Sequence, residues 1–430
     1  MAQRTLGFRS TLGQMSLVSA LADTLFLRKI FSNPWEARDF GLLLMTCWPL
    51  EAPAWLAHRL VMTQGGSATD AGLLVGLTLF PDVLLSPVAA FLVTKTSARI
   101  IVSFGLASTL AAVAGMAAVS EPGPLFYGLR LLQGVGHAFV YVPMFATAYA
   151  TVPEGHKALG LARFAIAVQL GNLLGAPLGA TLFSSAPPNV LLGVTAALAG
   201  LAMVPACRLR GEPRVHPAQK KRTVSQQMAQ VLRFGPAALA TTFVAGGVFC
   251  GATQFVPAYF DELERLGRLD SPQAAVAFMA TVFALMVVCR LLIGHAGDGR
   301  YRRLLANGSC MVVVGSIVWV AHVDCFTDIL IGGAAFGVGY GLLYPTIMAL
   351  MLRLAAAEEQ QFAAGILATS FQYGYLSLPF LLGPLIDALG YSMALLCLAA
   401  SLFIAWGAFL TSQPPLRQWL VPEKSGDYGR

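Results

Sequence analysis

The residues most able to do chemistry are a few charged and polar side chains inside long apolar stretches. Arg130, Gly134, His137 and Tyr141 follow one another at helical spacing and share one helix face. An arginine in hydrocarbon costs about 2.5–3.5 kcal/mol on insertion scales, so it needs a partner or a water-filled cavity. We expect this face to line a cavity where Arg130 stabilises a carboxylate or takes part in proton coupling. The alternative is that Arg130 is a fixed packing residue bonded to carbonyls, and His137 a packed histidine.

Two acidic residues in apolar stretches are candidates for carrying a proton. Glu51 lies between two prolines that weaken its helix, and Trp55 and His58 follow on its face. Asp82 lies in the middle of the next apolar stretch. Burial disfavours the charged form of a carboxylate, so such a group can load and release a proton as access alternates. We expect Glu51 to be the carrier, with Asp82 as second choice. The alternative is a static ion pair, for example Glu51 with Arg130.

These residues are positioned by apolar stretches of membrane-spanning length. The chain has 430 residues, of which 57% are hydrophobic and only 11% charged. Soluble proteins have about a quarter charged residues. The pattern predicts an all-α polytopic membrane protein with 12 transmembrane helices. The predicted spans are 40–62, 71–94, 100–119, 124–150, 158–183, 190–207, 236–258, 272–296, 304–322, 328–352, 363–387 and 391–412.

The spans and the polar stretches between them divide the chain into five parts. These are a cytoplasmic N-terminal segment 1–39, a six-helix bundle 40–207, a basic linker 208–235, a second six-helix bundle 236–412 and a cytoplasmic tail 413–430. Most basic residues fall on one side, so the positive-inside rule puts both termini in the cytoplasm. The net charge of +7 therefore reports orientation and not nucleic-acid binding. The seven scattered cysteines predict neither a disulfide framework nor a metal site.

An internal repeat relates the two halves. Gly134 and Gly136 precede Tyr141 as Gly337 and Gly339 precede Tyr344, with an offset of 203 positions. The next span in each half contains Gln-x-Gly, beginning at Gln169 and at Gln372, again 203 positions apart. Two consecutive spans at one offset, around a basic linker, indicate a 6+6 pseudo-repeat from a duplication. Such repeats are typical of secondary transporters, with the substrate near the midplane between halves.

Three motifs resemble those of the major facilitator superfamily. Arg130, Gln133, Gly134 and Gly136 match the family's fourth-helix arginine motif. The segment 294–303 resembles its cytoplasmic loop motif, and 171–180 resembles the fifth-helix motif of its antiporter and exporter branch. The resemblance implies the superfamily fold and places the chain nearest the drug and metabolite efflux branch of proton antiporters.

Three further groups of site residues are predicted. A cytoplasmic gate, with a plain positive-inside cluster as the alternative, is expected at Lys95, Arg99, Asp298, Arg300, Arg302 and Arg303. Close helix packing, which the family resemblance extends to limiting proton leak, is expected at Gly171, Gly175, Pro177 and Gly179. Further cavity residues, with packing between helices as the alternative, are Gln133, Gln169, Gln254, Tyr340, Tyr344 and Gln372.

The function expected is secondary active transport of a small organic molecule by alternating access. No P-loop or catalytic motif is present, so we expect no enzyme activity and no cofactor, with energy from an ion gradient. The favoured form is proton-coupled efflux of a drug, metabolite or siderophore by a monomer in the lipid bilayer of a bacterial inner membrane. The alternatives are a proton-coupled uptake permease and a transport-inactive assembly factor or sensor. A cavity with an acid and an arginine leaves the substrate's charge open.

Overall fold

The computed structural model of the protein is a bundle of helices joined by short turns. It describes residues 61, 66–93, 96–119, 123–151, 165–173, 187–207, 235–271, 273–293, 302–352 and 360–412. Within these ranges every regular element is helical. The helices are α1 (Ala68–Val93), α2 (Ala98–Val119), α3 (Pro124–Thr151), α4 (Pro188–Ala206), α5 (Gly235–Cys250), α6 (Val256–Arg265), α7 (Ala274–Ile293), α8 (Arg302–Val320), α9 (Phe326–Leu352), α10 (Gln360–Leu389) and α11 (Tyr391–Ser412).

The predicted all-α membrane fold is confirmed in the described part of the chain. Eleven of the twelve predicted spans coincide with helix there, the fifth over 165–173 only. Six helical stretches of the described residues are long and apolar enough to cross a membrane. The N-terminal segment, the first predicted span except residue 61, the linker except Gly235 and the C-terminal tail lie outside the described residues.

The seventh span is longer than predicted. It was expected to end at residue 258, but a π-helical turn at Gly251–Phe255 joins α5 to α6, which continues to Arg265. Asp261, Glu262 and Glu264, expected in a loop, therefore lie on a helix. The helix continues because α6 is amphipathic, with Phe260 and Leu263 buried on the face opposite the acids.

Glycine ends this span. Gly267 has φ 67°, and the amides of Gly267 and Arg268 donate to the carbonyls of Glu264 and Leu263 at 2.9 Å. These two hydrogen bonds form a Schellman motif, which requires the left-handed conformation that glycine adopts without strain.

Apolar side chains divide between the interior and the outward faces of the bundle. One large buried cluster runs through α5–α11 and includes Phe255, Phe336 and Trp406, while the described part of the first half contains three smaller clusters. Large apolar side chains such as Leu125 and Ile404 are instead exposed. Exposed apolar faces on long helices are expected where lipid covers them.

The two halves repeat the same close helix contacts. Gly134 of α3 packs against the Thr78 carbonyl of α1, and its repeat mate Gly337 of α9 packs against the Val282 carbonyl of α7. Gly136 packs against α2, and Gly339 packs against α8. At each of these positions a Cβ atom would lie too close to neighbouring atoms. Equivalent glycines thus make equivalent contacts, as the 6+6 pseudo-repeat predicts.

Among the described helices, the halves contact each other chiefly through α1 and α10. Gly72 faces the Pro379 carbonyl, Gly76 faces the Phe380 ring, and Gly383 faces the first turn of α1. We call the end of the bundle where α1 begins and α10 ends the Asp387 end. These glycines permit the close approach of the two helices, because a side chain at any of them would need to displace its neighbour.

Candidate functional site

The predicted face of α3 packs against α1 turn by turn. The Arg130 Nε donates to the Leu74 carbonyl at 3.3 Å, and His137 Nδ1 lies 3.0 Å from Asp82 Oδ1. Between these two contacts, Gly134 meets α1 at Thr78. Leu74, Thr78 and Asp82 are spaced four residues apart, so they share one face of α1. Arg130, Gly134 and His137 of α3 thus each contact a residue on this one face of α1.

Asp82 and His137 form a buried acid–base pair. Their side chains are 4% and 17% exposed, so both are largely shielded from solvent. The His137 ring stacks on Tyr141, with ring centroids 5.4 Å apart and planes at 14°. Sequence reasoning selected both residues separately but did not pair them. Their pairing gives this part of the bundle two groups that can share one proton within hydrogen-bond distance.

Arg130 is buried and forms hydrogen bonds with two neighbouring residues. Its side chain is 0% exposed, and its Nη1 donates to Gln133 Oε1 at 2.6 Å in addition to the bond with Leu74. The Nη2 atom has no hydrogen-bond partner among the described residues. These contacts match the alternative of a packed arginine bonded to a carbonyl, while one donor group stays available. Its role in proton coupling stays a prediction.

Aromatic residues dominate the corresponding region of the second half. The Tyr340 hydroxyl donates to the Ala245 carbonyl at 2.9 Å, and its ring stacks between Phe249 at 4.9 Å and Phe336 at 5.4 Å. Tyr344 meets Phe371 edge to face at 4.8 Å. The predicted cavity residues Tyr340 and Tyr344 therefore lie one turn apart on α9 and make two adjacent sets of ring contacts, with α5 and with α10, which together we call the aromatic group.

The other predicted cavity residues lie on separate helices. Gln169 is 5% exposed on 165–173, and Gln254 is 6% exposed in the π-helical turn. Each has a side-chain oxygen without a hydrogen-bond partner within the described part of the chain. Gln372 is half-buried on α10. A π-helical turn often marks a functional position, which is consistent with a role for Gln254.

Several predicted site residues lie outside the described part of the chain. They are Glu51, Trp55, His58, Lys95, Gly175, Pro177, Gly179, Asp298 and Arg300. Of the remaining gate and packing residues, Arg99 is exposed in the first turn of α2, Arg302 begins α8 beside half-buried Arg303, and Gly171 is buried. The described His, Cys, Asp and Glu residues form no group that could hold a metal ion.

Sequence reasoning missed two charged residues that join the halves. Arg290, one turn before the end of α7, donates from Nη1 to the Ala165 carbonyl at 3.2 Å. Asp387, at the end of α10, accepts hydrogen bonds from the amides of Ala68 and Thr69 at 3.1 and 3.0 Å and from the Thr69 hydroxyl. Arg290 could have been noticed as the sole charge in the apolar run Ala274–Ile293, whereas Asp387 gives no such signal.

Comparison with known proteins identifies the family. A sequence profile of the Major Facilitator Superfamily matches residues 15–376. The chain belongs to this superfamily. A similar solved structure is the crystal structure of the human organic anion transporter MFSD10 (TETRAN), with a TM-score of 0.63 and 12% sequence identity. The similarity covers 86% of this chain and 97% of that chain. A search of curated protein sequences gave no match.

Membership of the superfamily confirms the resemblance seen in the motifs. The chain is a multi-pass membrane protein of a secondary transporter family, and it is not an enzyme. Its partners are a small-molecule substrate and the lipid bilayer. At 12% identity the solved structure bears on the fold alone.

Proposed function

We propose that this protein is a proton-coupled secondary transporter that moves a small organic molecule by alternating access. The observation that supports this most is the pair of Asp82 and His137, 3.0 Å apart on two helices, α1 and α3, that coincide with predicted spans. Ionisable groups inside membrane spans are retained mostly where they serve a function, and a carboxylate beside an imidazole suits proton transfer near neutral pH. Asp82, the second choice from the sequence, thus gains a partner, while Glu51 stays a candidate carrier.

The coupling is proposed to act through charge on α1. The pair has a net charge of −1 when His137 is neutral and of zero when one proton is bound. Among the described residues, the titratable groups near it are Arg130, two turns away on α3, and the neutral phenol of Tyr141, whose ring stacks on His137. Asp82 lies on α1, which contacts both α3 and α10. We call the contact between α1 and α10 the seam between the halves. A change of charge at Asp82 therefore acts on a helix that forms this seam. Transport follows if the two protonation states favour different arrangements of that seam.

Efflux in exchange for protons is the direction favoured by the glycine-rich segment 171–180. Uptake of the substrate together with a proton is the second candidate, and one observation favours it. Tyr141 stacks on His137 and also lies within electrostatic reach of Arg290. A proton on the pair would therefore promote the binding of an anion near Arg290. The inner membrane of a bacterium, cytoplasmic termini and a monomeric state complete the proposal, and the distribution of basic residues supports the orientation.

The experiment is a paired metabolite profile of cells with and without the protein, inside and outside, with and without a protonophore. A compound enriched outside only with the protein and an intact gradient supports efflux, and one enriched inside supports uptake. The Asp82→Asn and His137→Gln variants should lose the enrichment, whereas Glu264→Gln, at the surface end of α6, should keep it. An identical profile in all cells would favour a transport-inactive protein. Enrichment that survives the protonophore would remove proton coupling.

A further inference from the structure

Arg290 is a half-buried cation in α7, a helix of a predicted span, without an acidic partner among the described residues. Its hydrogen bond within that part of the chain is to the Ala165 carbonyl of the other half, at 3.2 Å. A guanidinium group has five N–H donors, so this bond uses a small part of its capacity. A cation in a membrane interior is stabilised by a counter-charge or by water in a cavity. Arg290 therefore keeps N–H donors that an anionic ligand could use.

Its surroundings combine phenol groups with an apolar aromatic wall. Gly341 of α9 packs against Cys289, the residue before Arg290 on α7. Tyr340 and Tyr344 flank Gly341 in the sequence, and both of them, with Tyr141 of the first half, interact electrostatically with Arg290. Tyr340 and Tyr344 belong to the aromatic group that also contains Phe249 and Phe371. A ligand held at Arg290 would thus have its charged end at the guanidinium and its body against aromatic rings. Contributions from both halves are what alternating access requires of a substrate site.

The other described arginine inside the bundle is a weaker candidate. Arg130 is 0% exposed and already bonded to Leu74 and Gln133. A ligand cannot reach it in this conformation without displacing the contact between α1 and α3. Arg290 is only half-buried, and its hydrogen bond to the described residues is with one backbone carbonyl. Of the two, Arg290 is the one arranged to receive a ligand.

We infer that Arg290 binds the substrate and that the substrate is an organic carboxylate with an apolar or aromatic body. The planar guanidinium matches the two oxygens of a carboxylate, with two parallel hydrogen bonds. The aromatic group supplies contact area for the body of the ligand. This inference rests on the proposed transport function, but it holds for either direction of transport.

The test is equilibrium binding to the purified full chain in lipid nanodiscs, without any gradient. The probes are phenylacetate and indole-3-acetate, each against its neutral amide, phenylacetamide and indole-3-acetamide. We expect at least one carboxylate to bind and its amide to bind at least about tenfold more weakly, because hydrogen bonds between charged groups are the strong ones. Arg290→Gln should weaken carboxylate binding to the level of the amide. Arg290→Lys keeps the positive charge but not the planar guanidinium, so its affinity for the carboxylate should lie between those of the unchanged protein and Arg290→Gln.

Arg265→Gln is the matched control, since Arg265 is an exposed arginine paired with Glu262 at 2.8 Å. It should leave binding unchanged. Thermal unfolding of each variant separates a lost site from a lost fold, and Tyr344→Phe offers a milder change at the same site. Equal binding of acids and amides, no carboxylate binding, or full affinity in a folded Arg290→Gln protein would each overturn the inference. Proton-driven transport of a compound that is not an anion would leave the proposed function intact and this inference refuted.

Discussion

Removal of the Asp387 carboxylate should open the bundle at the end where α1 begins. Two sets of hydrogen bonds satisfy the first amides of α1. Ser67 and Asp70 form a local capping box, in which the Ser67 amide donates to Asp70 at 3.0 Å and the Asp70 amide to Ser67 at 3.1 Å. The amides of Ala68 and Thr69 donate instead to Asp387 of the other half. The second set exists only while the halves are together at this end.

The size of the effect follows from the bonds lost in Asp387→Ala. Replacement of a capping side chain by alanine costs about 0.5–2 kcal/mol. Asp387 accepts two backbone amides and a hydroxyl, and its charge also interacts favourably with the helix N-terminus. Because the site is partly exposed to water, we take about 1–2 kcal/mol, which shifts a two-state equilibrium about 5- to 30-fold. The shift favours the state in which α1 and α10 are apart.

The assay is a distance measurement by electron spin resonance in nanodiscs. Spin labels at Asn189 and Asp324, exposed positions in the two halves at the Asp387 end, report their separation in a cysteine-free background. Asp387→Ala should increase the long-distance population. Asp70→Ala is the matched control, because it uncaps the same helix within one half and should leave the distance distribution unchanged. A similar shift in both variants, or none in Asp387→Ala, would refute the reasoning.

Three further predictions follow from other contacts. Asp82→Asn should abolish gradient-driven accumulation but keep substrate exchange and binding, since it removes the proton site beside His137 and preserves shape; loss of binding in a vesicle assay would contradict it. Gly134→Ala should lower the free energy of unfolding by about 1–3 kcal/mol through overpacking against α1, measured against Gly128→Ala, where a Cβ meets open space. The indole N–H of Trp406 donates to Asn307 Oδ1 at 3.0 Å. Trp406→Phe removes this donor and should lower the melting temperature, because the amide oxygen of Asn307 then lacks its partner. An unchanged melting temperature would show that this bond contributes nothing.

The spans and the repeat could be predicted from the sequence because they depend on local composition and spacing. A run of apolar residues predicts a membrane helix whatever its neighbours are, and Gly134 and Gly337 could be matched by their offset alone. The seventh span was predicted to end at residue 258 because the acids from Asp261 onward were assigned to a loop in water. In the structure they lie on the polar face of α6, and the turn-forming Gly267 ends the span.

Contacts between the halves could not be predicted, because their partners are far apart in the chain. Arg290 and Ala165 are separated by 125 positions, and Asp387 and Ala68 by 319. No periodicity connects such residues. The pairing of Asp82 with His137 belongs to the same class, since it depends on how α1 and α3 align. The sequence indicated which residues could bind or transfer a proton, but helix packing determines which of them come into contact.

These contacts make α1 the element that can link proton binding to the opening of the bundle. Asp82 lies on the face of α1 that meets α3, Gly72 and Gly76 lie where it meets α10, and its first amides bind Asp387. A shift of α1 caused by a change of charge at Asp82 would therefore change both its contact with α10 and the hydrogen bonds of its first amides with Asp387. Sites that act independently have additive effects, whereas coupled sites do not. We expect the combination of Asp82→Asn with Asp387→Ala to shift the label distance non-additively, which would distinguish a linked helix from two unrelated perturbations.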